Sequence, residues 1–318
     1  MKPQDVLEEL LARADRTQAE LRSVHGVEAR WEHLPSRTTS EALDLMAEWI
    51  RLQVRRIGAK GCVVGASGGV DSSLVALLAT RALPGECSAL IMPCRSDPQD
   101  ESDARQLLEL LRIPYRVTSL EPAVDALVAA MGDTPTSVGR MVSGNLASRI
   151  RGALLYYEAN RTSRLVLGTG NLDETYVGYS SKGTTADLFP ITGLHKEEVR
   201  ALLYLGLKEL DEKLAARLSQ RTATPGYWAG QEAEKELGLP YRRIGAALDV
   251  IIGQCAIENT GVIPRDDDEF IRALEGSGVP GQDILDVAAL IMRNHHKGFG
   301  SPALWRPEPY LPDSDDTE

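Results

Sequence analysis

The chain has 318 residues, of which 43% are hydrophobic and 25% are charged, and its formal net charge at pH 7 is −11. This length suits one large globular domain with terminal additions. The acidic balance, without any run rich in lysine or arginine, disfavours nonspecific binding to nucleic acid and to anionic membranes.

The predicted elements change type near residue 61. Before it, the sequence has helical periodicity twice, in the opening segment and in the segment that begins at Ser40. After it, β-rich runs alternate with longer amphipathic runs, and the runs that read as strands are CVVGA, CSALIMP, YRVTSL and RLVLGTG. This alternation predicts an α/β fold, with a parallel sheet covered by helices on both faces. From Leu194 the sequence is again mostly helical, so helical additions are expected at both ends.

The corner between the first predicted strand and its helix reads SGGVDSS, from Ser67 to Ser73. Gly68 and Gly69 allow backbone angles that other residues avoid, so successive N–H groups can point at an anion in front of a positive helix end. Asp71 would repel a bare phosphate, and it therefore fits best as a ligand of a bridging Mg²⁺. The alternative is an ordinary glycine-rich turn in which Asp71 and Ser72 only cap the helix.

A second polar corner, GTGN, follows the last predicted strand at residues 168–171. Because parallel strands place their carboxyl ends at one edge of a sheet, the two corners should lie close together. The first corner lacks the lysine of a Walker A loop, and the second lacks the third glycine of a dinucleotide fingerprint. The two corners together predict a different kind of phosphate site at this edge.

The string from Ser67 to Ser72 resembles the pyrophosphate loop of the N-type ATP pyrophosphatases, and the later sequence resembles one branch of that group, the NAD synthetases. The positions that match in the second block are Gly168, Thr169, Glu174, Gly178, Tyr179, Lys182, Ala186, Asp187, Leu188, Pro190 and Lys196. The resemblance implies an adenine nucleotide alpha hydrolase-like, Rossmann-like sheet. It divides the chain into an N-terminal helical extension (1–36), an ATP pyrophosphatase domain (37–302) and a proline-rich, acidic tail (303–318).

The resemblance implies an AMP-forming ligase. In such an enzyme the nicotinate carboxylate of deamido-NAD⁺ attacks the α-phosphorus of ATP, pyrophosphate leaves, and ammonia then displaces AMP from the acyl-adenylate. The resemblance also implies Mg²⁺ as cofactor, ATP as co-substrate, ammonia that a separate source can supply, and a homodimer with the dinucleotide at the subunit interface. The N-terminal helices would suit that interface.

The same resemblance implies roles for individual residues. Asp71, Glu174 and Lys196 are the expected catalytic residues, and Asp71 and Glu174 are the expected ligands of Mg²⁺. The expected contacts with ATP are Ser67, Gly68, Gly69, Asp71, Ser72, Arg149, Thr169, Lys196 and Thr222. The expected contacts with the second substrate are Lys182, Asp187, His296 and Lys297.

Other interpretations of these residues stay open. Glu174 could be a first-turn glutamate that stabilises a helix N-terminus, and Lys196 could be a surface lysine where a helix begins. Arg149 and Arg151 are two apart on one predicted helix and do not share a face, and by the resemblance Arg149 is expected to reach the nucleotide. Asp100, after the second strand, could contact ATP or cap a helix.

The chain departs from the family pattern on the side of the second substrate. Thr184 and Thr185 stand where relatives carry a longer loop with an aspartate implicated in handling ammonia. Ala233 replaces one member of an acidic pair, and Gly298 replaces an arginine. These changes leave open an AMP-forming amide ligase of the same fold that acts on a different carboxylate. A noncatalytic ATP-binding module is a further alternative, although a sensor has no need of two acidic metal ligands.

The expected compartment follows from the cysteines, which are Cys62, Cys87, Cys94 and Cys255. They have neither metal-ligand nor CxxC spacing, and no secretory pattern opens the sequence, so we expect free thiols and a cytoplasmic location. No apolar run approaches the ~20 residues of a membrane span. The residues before the first strand contain no cysteine that could serve a glutaminase, so ammonia is the expected nitrogen donor.

Overall fold

The structure is a computed structural model that describes residues 22–31, 34, 36–134, 136–254, 276–294 and 297. Within these residues the strands are β1 (Cys62–Gly65), β2 (Cys87–Ile91), β3 (Tyr115–Val117) and β4 (Leu165–Leu167). The helices are α1 (22–31), α2 (Ser40–Ile57), α3 (Val70–Ala82), α4 (Pro98–Leu110), α5 (Glu121–Ala130), α6 (Arg140–Thr162), α7 (Leu172–Val177), α8 (Lys196–Leu207), α9 (Glu212–Ser219), α10 (Ala233–Leu237), α11 (Tyr241–Gln254) and α12 (Gly281–Asn294). The predicted tail, His296 and Gly298 lie outside the described residues.

The strands form a parallel sheet in the order β3-β2-β1-β4. In β1, Cys62 lies opposite Cys87 of β2 on one side and opposite Leu165 of β4 on the other. Successive side chains of a strand point to opposite faces, and accordingly Val64 packs in a core with α2, α3 and α8 while Val63 packs in a core with α5 and α6. The predicted α/β fold with helices on both faces is confirmed.

Close packing of α8 on α3 sets the geometry of one face. At Gly206 of α8, an added Cβ would lie 2.4 Å from Cδ2 of Leu77 in α3. A larger residue would push the two helices apart, so this glycine lets α8 approach α3. The neighbouring helix α2 begins after Thr39, whose hydroxyl accepts a hydrogen bond from the N–H of Ala42 at 3.1 Å, and it ends at Gly58 with φ 77°.

On the other face, α5 and α6 leave apolar side chains uncovered. The exposed side chains near the end of α5 and the start of α6 are Leu127, Met131, Met141 and Val142, and we call them the α5–α6 surface. Contiguous exposed apolar patches often mark a contact with another protein surface.

The terminal helices add to this sheet domain. Val24, Val27 and Trp31 of α1 are buried in the same core as α2 and α3, so the described part of the predicted N-terminal extension packs directly on the domain. Helices α11 and α12 pack with α7 in a second apolar cluster that includes Ile244 and Ile291. Among the described residues, no helix is both long enough and apolar enough to cross a membrane.

Candidate active site

The corner after β1 is shaped by a close approach of α4. Gly68 has φ +78°, which favours glycine, and a Cβ there would lie 2.1 Å from the backbone oxygen of Asp100. Gly69 is the N-cap residue of α3, and this helix start has no capping hydrogen bond from a side chain of the cap residue. The interpretation in which Asp71 and Ser72 only cap the helix is therefore wrong.

Hydroxyl groups hold the shape of this corner. The Oγ atoms of Ser67 and Ser72 lie 3.0 Å apart, and Ser72 Oγ accepts a hydrogen bond from the N–H of Ser67 at 3.2 Å. Ser67 Oγ also accepts the N–H of Gly69 at 3.3 Å. The loop is therefore preorganised by its own serines.

The side chains of Asp71, Glu174 and Lys196 meet between the two corners. The Nζ of Lys196 donates to Oδ2 of Asp71 at 2.6 Å and to Oε1 of Glu174 at 2.8 Å. The Lys196 side chain is only 1% exposed, whereas those of Asp71 and Glu174 are 18% and 22% exposed. The ring of Tyr241 lies 4.7 Å from Nζ and completes the enclosure of the ammonium. The interpretation of Lys196 as a surface residue is wrong.

Asn171 connects the two corners. It is the N-cap residue of α7, where its Oδ1 accepts the N–H of Glu174 at 3.0 Å. Its Nδ2 donates to Oδ1 of Asp71 at 2.9 Å. One buried amide thus positions both carboxylates. The start of α7 is capped by Asn171, which accepts the backbone N–H of Glu174. The carboxylate of Glu174 pairs with Lys196 instead.

The electrostatics of the group favour a bound cation. Burial raises the pKa of Glu174, Lys196 opposes this shift and Asp71 adds to it. Burial also opposes the charge of Lys196, but the two carboxylates outweigh burial and raise the pKa of its ammonium. Lys196 therefore stays charged, and the three side chains carry one surplus negative charge when both carboxylates are ionised.

Asp173 and His195 fix the residue that begins α8. Oδ1 of Asp173 lies 2.6 Å from Nδ1 of His195, and Oδ2 accepts the backbone N–H of Lys196 at 2.8 Å. The Nε2 of His195 lies 3.0 Å from Oδ1 of Asp249 in α11. Burial lowers the pKa of His195, but the hydrogen bonds to both aspartates outweigh it and raise the pKa to about 10. A charged imidazole therefore joins α7, α8 and α11 behind the site.

Both corners line a cavity of about 350 Å³. The residues of its lining that were expected to contact ATP or metal are Ser67, Gly69, Asp71, Ser72, Thr169, Glu174 and Thr222. The lining also contains the departures from the family pattern that the structure describes, which are Thr184, Thr185 and Ala233. Gly68 shapes the corner through its backbone, and Lys196 lies behind the two carboxylates.

Several expected contact residues lie outside this lining. The Nε of Arg149 donates to the carbonyl of Lys182 at 2.9 Å. Oδ2 of Asp187 accepts the N–H of Val166 in β4 at 2.7 Å. The Nζ of Lys297 donates to a backbone carbonyl at the end of α7 at 3.0 Å. The expected contact of Arg149 with ATP stays a prediction. The same holds for the expected contacts of Lys182, Asp187 and Lys297 with the second substrate.

The acidic residues of α4 bind arginines. Asp97 is the N-cap residue of α4 and accepts the N–H of Gln99 at 2.9 Å, so the interpretation of Asp100 as the cap is wrong. Asp100 and Asp103 both pair with Arg221, the residue before Thr222. This ion pair ties α4 to the segment that places Thr222 in the cavity wall.

Sequence reasoning missed three residues of the site. Asn171 stands three residues before Glu174, which is the spacing of an N-cap residue and its partner, so this signal was available. Tyr241 lies in the string QEAEKELGLPYRRI, which resembles the family pattern, but the string assigned it no role. Arg151, which lines the cavity, was considered and set aside in favour of Arg149.

Comparison with sequence families gives a match over most of the chain. A family model described as NAD synthase matches residues 42–298. An NH(3)-dependent NAD(+) synthetase from Hyperthermus butylicus is 35% identical over 280 residues, which cover 84% of this chain and 94% of that protein. One from Carboxydothermus hydrogenoformans is 38% identical over 229 residues, covering 71% and 90% respectively.

Two solved structures are similar to this chain over most of its length. An NMN synthetase from Francisella tularensis aligns with a TM-score of 0.64 and 28% identity, covering 85% of this chain and 99% of that one. An NH3-dependent NAD synthetase from Campylobacter jejuni, solved with a nitrate ion, aligns with a TM-score of 0.62 and 25% identity, covering 84% and 98%.

Proposed function

Because the chain belongs to the NAD synthase family, we propose that it converts deamido-NAD⁺, ATP and ammonia into NAD⁺, AMP and pyrophosphate. One observation supports this reaction best. Asp71 and Glu174 follow two different strands, yet both line one cavity beside the corner after β1 (Ser67–Ser73), which we call the glycine corner. An enzyme that transfers an adenylyl group needs its charge-stabilising groups at the departing pyrophosphate.

The reaction divides into two steps. A carboxylate is a poor acyl donor because its leaving group would be oxide. Attack of a carboxylate oxygen on the α-phosphorus forms a mixed anhydride and breaks the bond to pyrophosphate. Ammonia then attacks the acyl carbon, AMP leaves, and the nitrogen releases one proton. Positioning of the reactants supplies much of the acceleration in such reactions.

The glycine corner is suited to hold the pyrophosphate part of ATP. The helix end at Gly69 has no capping side chain, and the positive end of the helix dipole favours an anion there. Ser67 and Ser72 can add hydroxyl donors. The ammonium of Lys196, which lies behind the cavity lining, offsets part of the negative charge of Asp71 and Glu174.

The residues present fit Mg²⁺ as the cofactor. Asp71 and Glu174 offer hard carboxylate oxygens that face the cavity, and their surplus negative charge suits a cation. No cluster of three or more His, Cys, Asp or Glu in the described ranges could hold a metal ion alone, and Mg²⁺ commonly needs only one or two carboxylates plus water and substrate phosphate. When bound, it would neutralise charge on the phosphate oxygens.

A mononucleotide is the second candidate for the acceptor. The solved structure from Francisella tularensis is titled an NMN synthetase, and it is 28% identical to this chain. Thr184, Thr185 and Ala233, the departures on the side of the second substrate, line the cavity. A site altered on that side could accept the shorter nicotinate nucleotide, which carries the same carboxylate.

We further propose a homodimer that forms through the α5–α6 surface. Leu127, Met131, Met141 and Val142 are 47%, 82%, 47% and 61% exposed there. The described helix α1 suits this role less, because its apolar residues Val24, Val27 and Trp31 are buried against their own chain. Replacing Met131 and Val142 by glutamate should yield a monomer in analytical ultracentrifugation. A dimer that persists would contradict this interface.

Product analysis tests the proposed function. Purified protein is incubated with Mg²⁺-ATP and ammonium, and with either deamido-NAD⁺ or the corresponding mononucleotide. Equal amounts of NAD⁺, AMP and pyrophosphate from the dinucleotide would support the proposal. Faster turnover of the mononucleotide would favour the second candidate. ATP binding without AMP release on either acceptor would favour a ligase for another carboxylate or a noncatalytic ATP-binding module.

A cytoplasmic location remains part of the proposal and rests on the free thiols of Cys62, Cys87 and Cys94.

A further inference from the structure

Arg151 lies in the cavity lining and forms no ion pair with a carboxylate among the described residues. Its Nε donates to the carbonyl of Met92, just after β2, at 3.1 Å. It makes no other hydrogen bond or ion pair with the residues that the structure describes. Burial lowers the pKa of its guanidinium, and the more distant charge of Asp100 only partly opposes this shift, so the charge is held at a cost in solvation. A desolvated cation of this kind is stabilised when an anion binds beside it.

The remaining charges of the lining are acidic. They belong to Asp71 and Glu174, and to Asp100 and Glu101, which pair with Arg221 and Arg105 outside the lining. Lys196 is committed to two of these carboxylates and lies behind them. ATP and a nicotinate carboxylate would add further negative charge to this cavity, so a cation is needed where phosphate oxygens remain after pyrophosphate has gone.

The position of Arg151 separates it from the pyrophosphate corner. The order of the sheet places β2 on one side of β1 and β4 on the other. Asp71 and Glu174 follow β1 and β4, whereas Arg151 is anchored at the end of β2. With pyrophosphate at the corner after β1, the α-phosphate lies farther along the same cavity, whose lining extends to Met92 and Arg151 on the β2 side.

Helix periodicity explains why only one of the two arginines of α6 can act there. Arg149 turns toward the loop after α7 and donates to the carbonyls of Lys182 and Asn145, at 2.9 and 3.1 Å. Two residues later the helix has turned by about 200°, and Arg151 faces β2 instead.

We propose that Arg151 is a catalytic residue of adenylation that donates hydrogen bonds to the α-phosphate, the group that leaves as AMP. The inference rests on the proposed AMP-forming reaction, but it concerns a separate part of the site. The four N–H donors at the two Nη atoms match phosphate oxygens, and Arg binds such oxygens in bidentate form better than lysine does. Arg151 thereby binds the α-phosphate, which stays with the acyl group. The part of the site around Asp71 and Glu174 stabilises the pyrophosphate, which leaves.

The test compares binding of AMP and of pyrophosphate, each with Mg²⁺, to the wild-type protein and to Arg151→Gln by calorimetry. We expect AMP affinity to fall on the order of 10–100-fold, as for the loss of a charged hydrogen-bond donor, while pyrophosphate affinity is unchanged. Arg151→Lys should recover only part of the loss. Arg140→Gln is the control, because Arg140 is an exposed residue at the start of the same helix.

Three further outcomes are informative. Recovery of AMP binding by Arg151→Ala when methylguanidinium is added would support the assignment. Unchanged AMP affinity in Arg151→Gln would overturn it. An equal loss of AMP and pyrophosphate binding together with a lower Tm would also overturn it, because Arg151 would then act only by holding Met92 and β2. Both binding measurements are independent of the acyl acceptor, so failure of wild-type protein to make NAD⁺ would reject the proposed function without deciding the role of Arg151.

Discussion

The Nζ of Lys196 lies 2.6 Å from Oδ2 of Asp71, although 125 residues separate the two in the chain. The same ammonium also holds Glu174, which follows a different strand. Charge at the site is therefore shared among three side chains from three elements. A change in any one of them therefore alters the electrostatic environment of the other two.

Asp71→Asn and Glu174→Gln should each lower the rate of AMP formation by about 10²–10³, by analogy with the loss of one charge-stabilising group. Each replacement keeps the shape of the side chain and removes a charged oxygen. Rates of AMP and pyrophosphate release measure the effect, and circular dichroism checks the fold. Glu197→Gln, at an exposed position in the first turn of α8, is the control. Wild-type turnover by correctly folded Glu174→Gln protein would contradict the assignment of the site.

Lys196→Met should destabilise the protein at pH 7, because it leaves Asp71 and Glu174 facing each other without a cation. The loss in free energy of unfolding should stay below the ~3–5 kcal/mol of a fully buried pair, since the carboxylates keep partial exposure. With Lys196 removed, the pKa of Glu174 rises further above its unfolded value, so stability should decrease as pH rises through that pKa. Urea unfolding measures this, and adding Glu174→Gln to Lys196→Met should restore stability.

Gly68→Val should eliminate ATP binding. A β-branched side chain opposes φ +78°, and its Cβ would overlap the backbone oxygen of Asp100, so α4 and the loop must separate. Gly85→Val is the matched control, because Gly85 has φ +80° but no atom within 4 Å of its added Cβ. Calorimetry should show lost ATP affinity only in the Gly68 variant. Equal affinities in the two variants would mean that the close approach to α4 is unimportant.

His195 should contribute pH-dependent stability. Its pKa of about 10 in the folded protein lies above the ordinary value of 6.5. The contribution is therefore fully present below the unfolded pKa and is lost as pH rises through the folded pKa. Between those values, the free energy of unfolding of the wild type should fall relative to that of His195→Asn, which cannot carry the charge. Parallel curves for the two proteins across this range would show that His195 does not bind an extra proton on folding.

Ammonium should support amide formation by the pure protein, and glutamine should not replace it. The attacking species is NH₃, so the apparent requirement for total ammonium should decrease as pH rises toward the pKa of ammonium. Initial rates of NAD⁺ formation at several ammonium concentrations and pH values measure this. The ATP requirement at saturating ammonium is the internal control. Efficient use of glutamine would contradict the expected donor.

Sequence patterns predicted the sheet and its two polar corners because these depend on local order along the chain. Alternating strand and helix runs determine a parallel sheet, and a parallel sheet brings strand ends to one edge. The approach of Asp71 to Glu174 follows from that geometry alone. The family resemblance added Lys196, for which neither spacing nor periodicity gave a contact.

The sequence could not decide which of Arg149 and Arg151 faces the cavity. Helical spacing states that the two side chains point in different directions, but it leaves the rotation of α6 on the sheet undetermined. Packing decides that rotation, through contacts such as that of Gly144 with the ring of Tyr227, where a Cβ would lie 2.3 Å from Cδ2. Tyr241 presents the same difficulty, because its place over Lys196 depends on how α11 docks.

The long separation of Asp71 from Lys196 also sets an order of events during protein synthesis. The glycine corner leaves the ribosome early, and 125 further residues must be added before the ammonium that balances its carboxylate exists. Until then the corner lacks β4, Asn171 and α8, so its affinity for nucleotide should be incomplete. ATP stabilises only states that bind it. The nascent sheet must therefore rely on its own apolar contacts, and nucleotide can protect the chain from misfolding or proteolysis only once α8 (Lys196–Leu207) has been added.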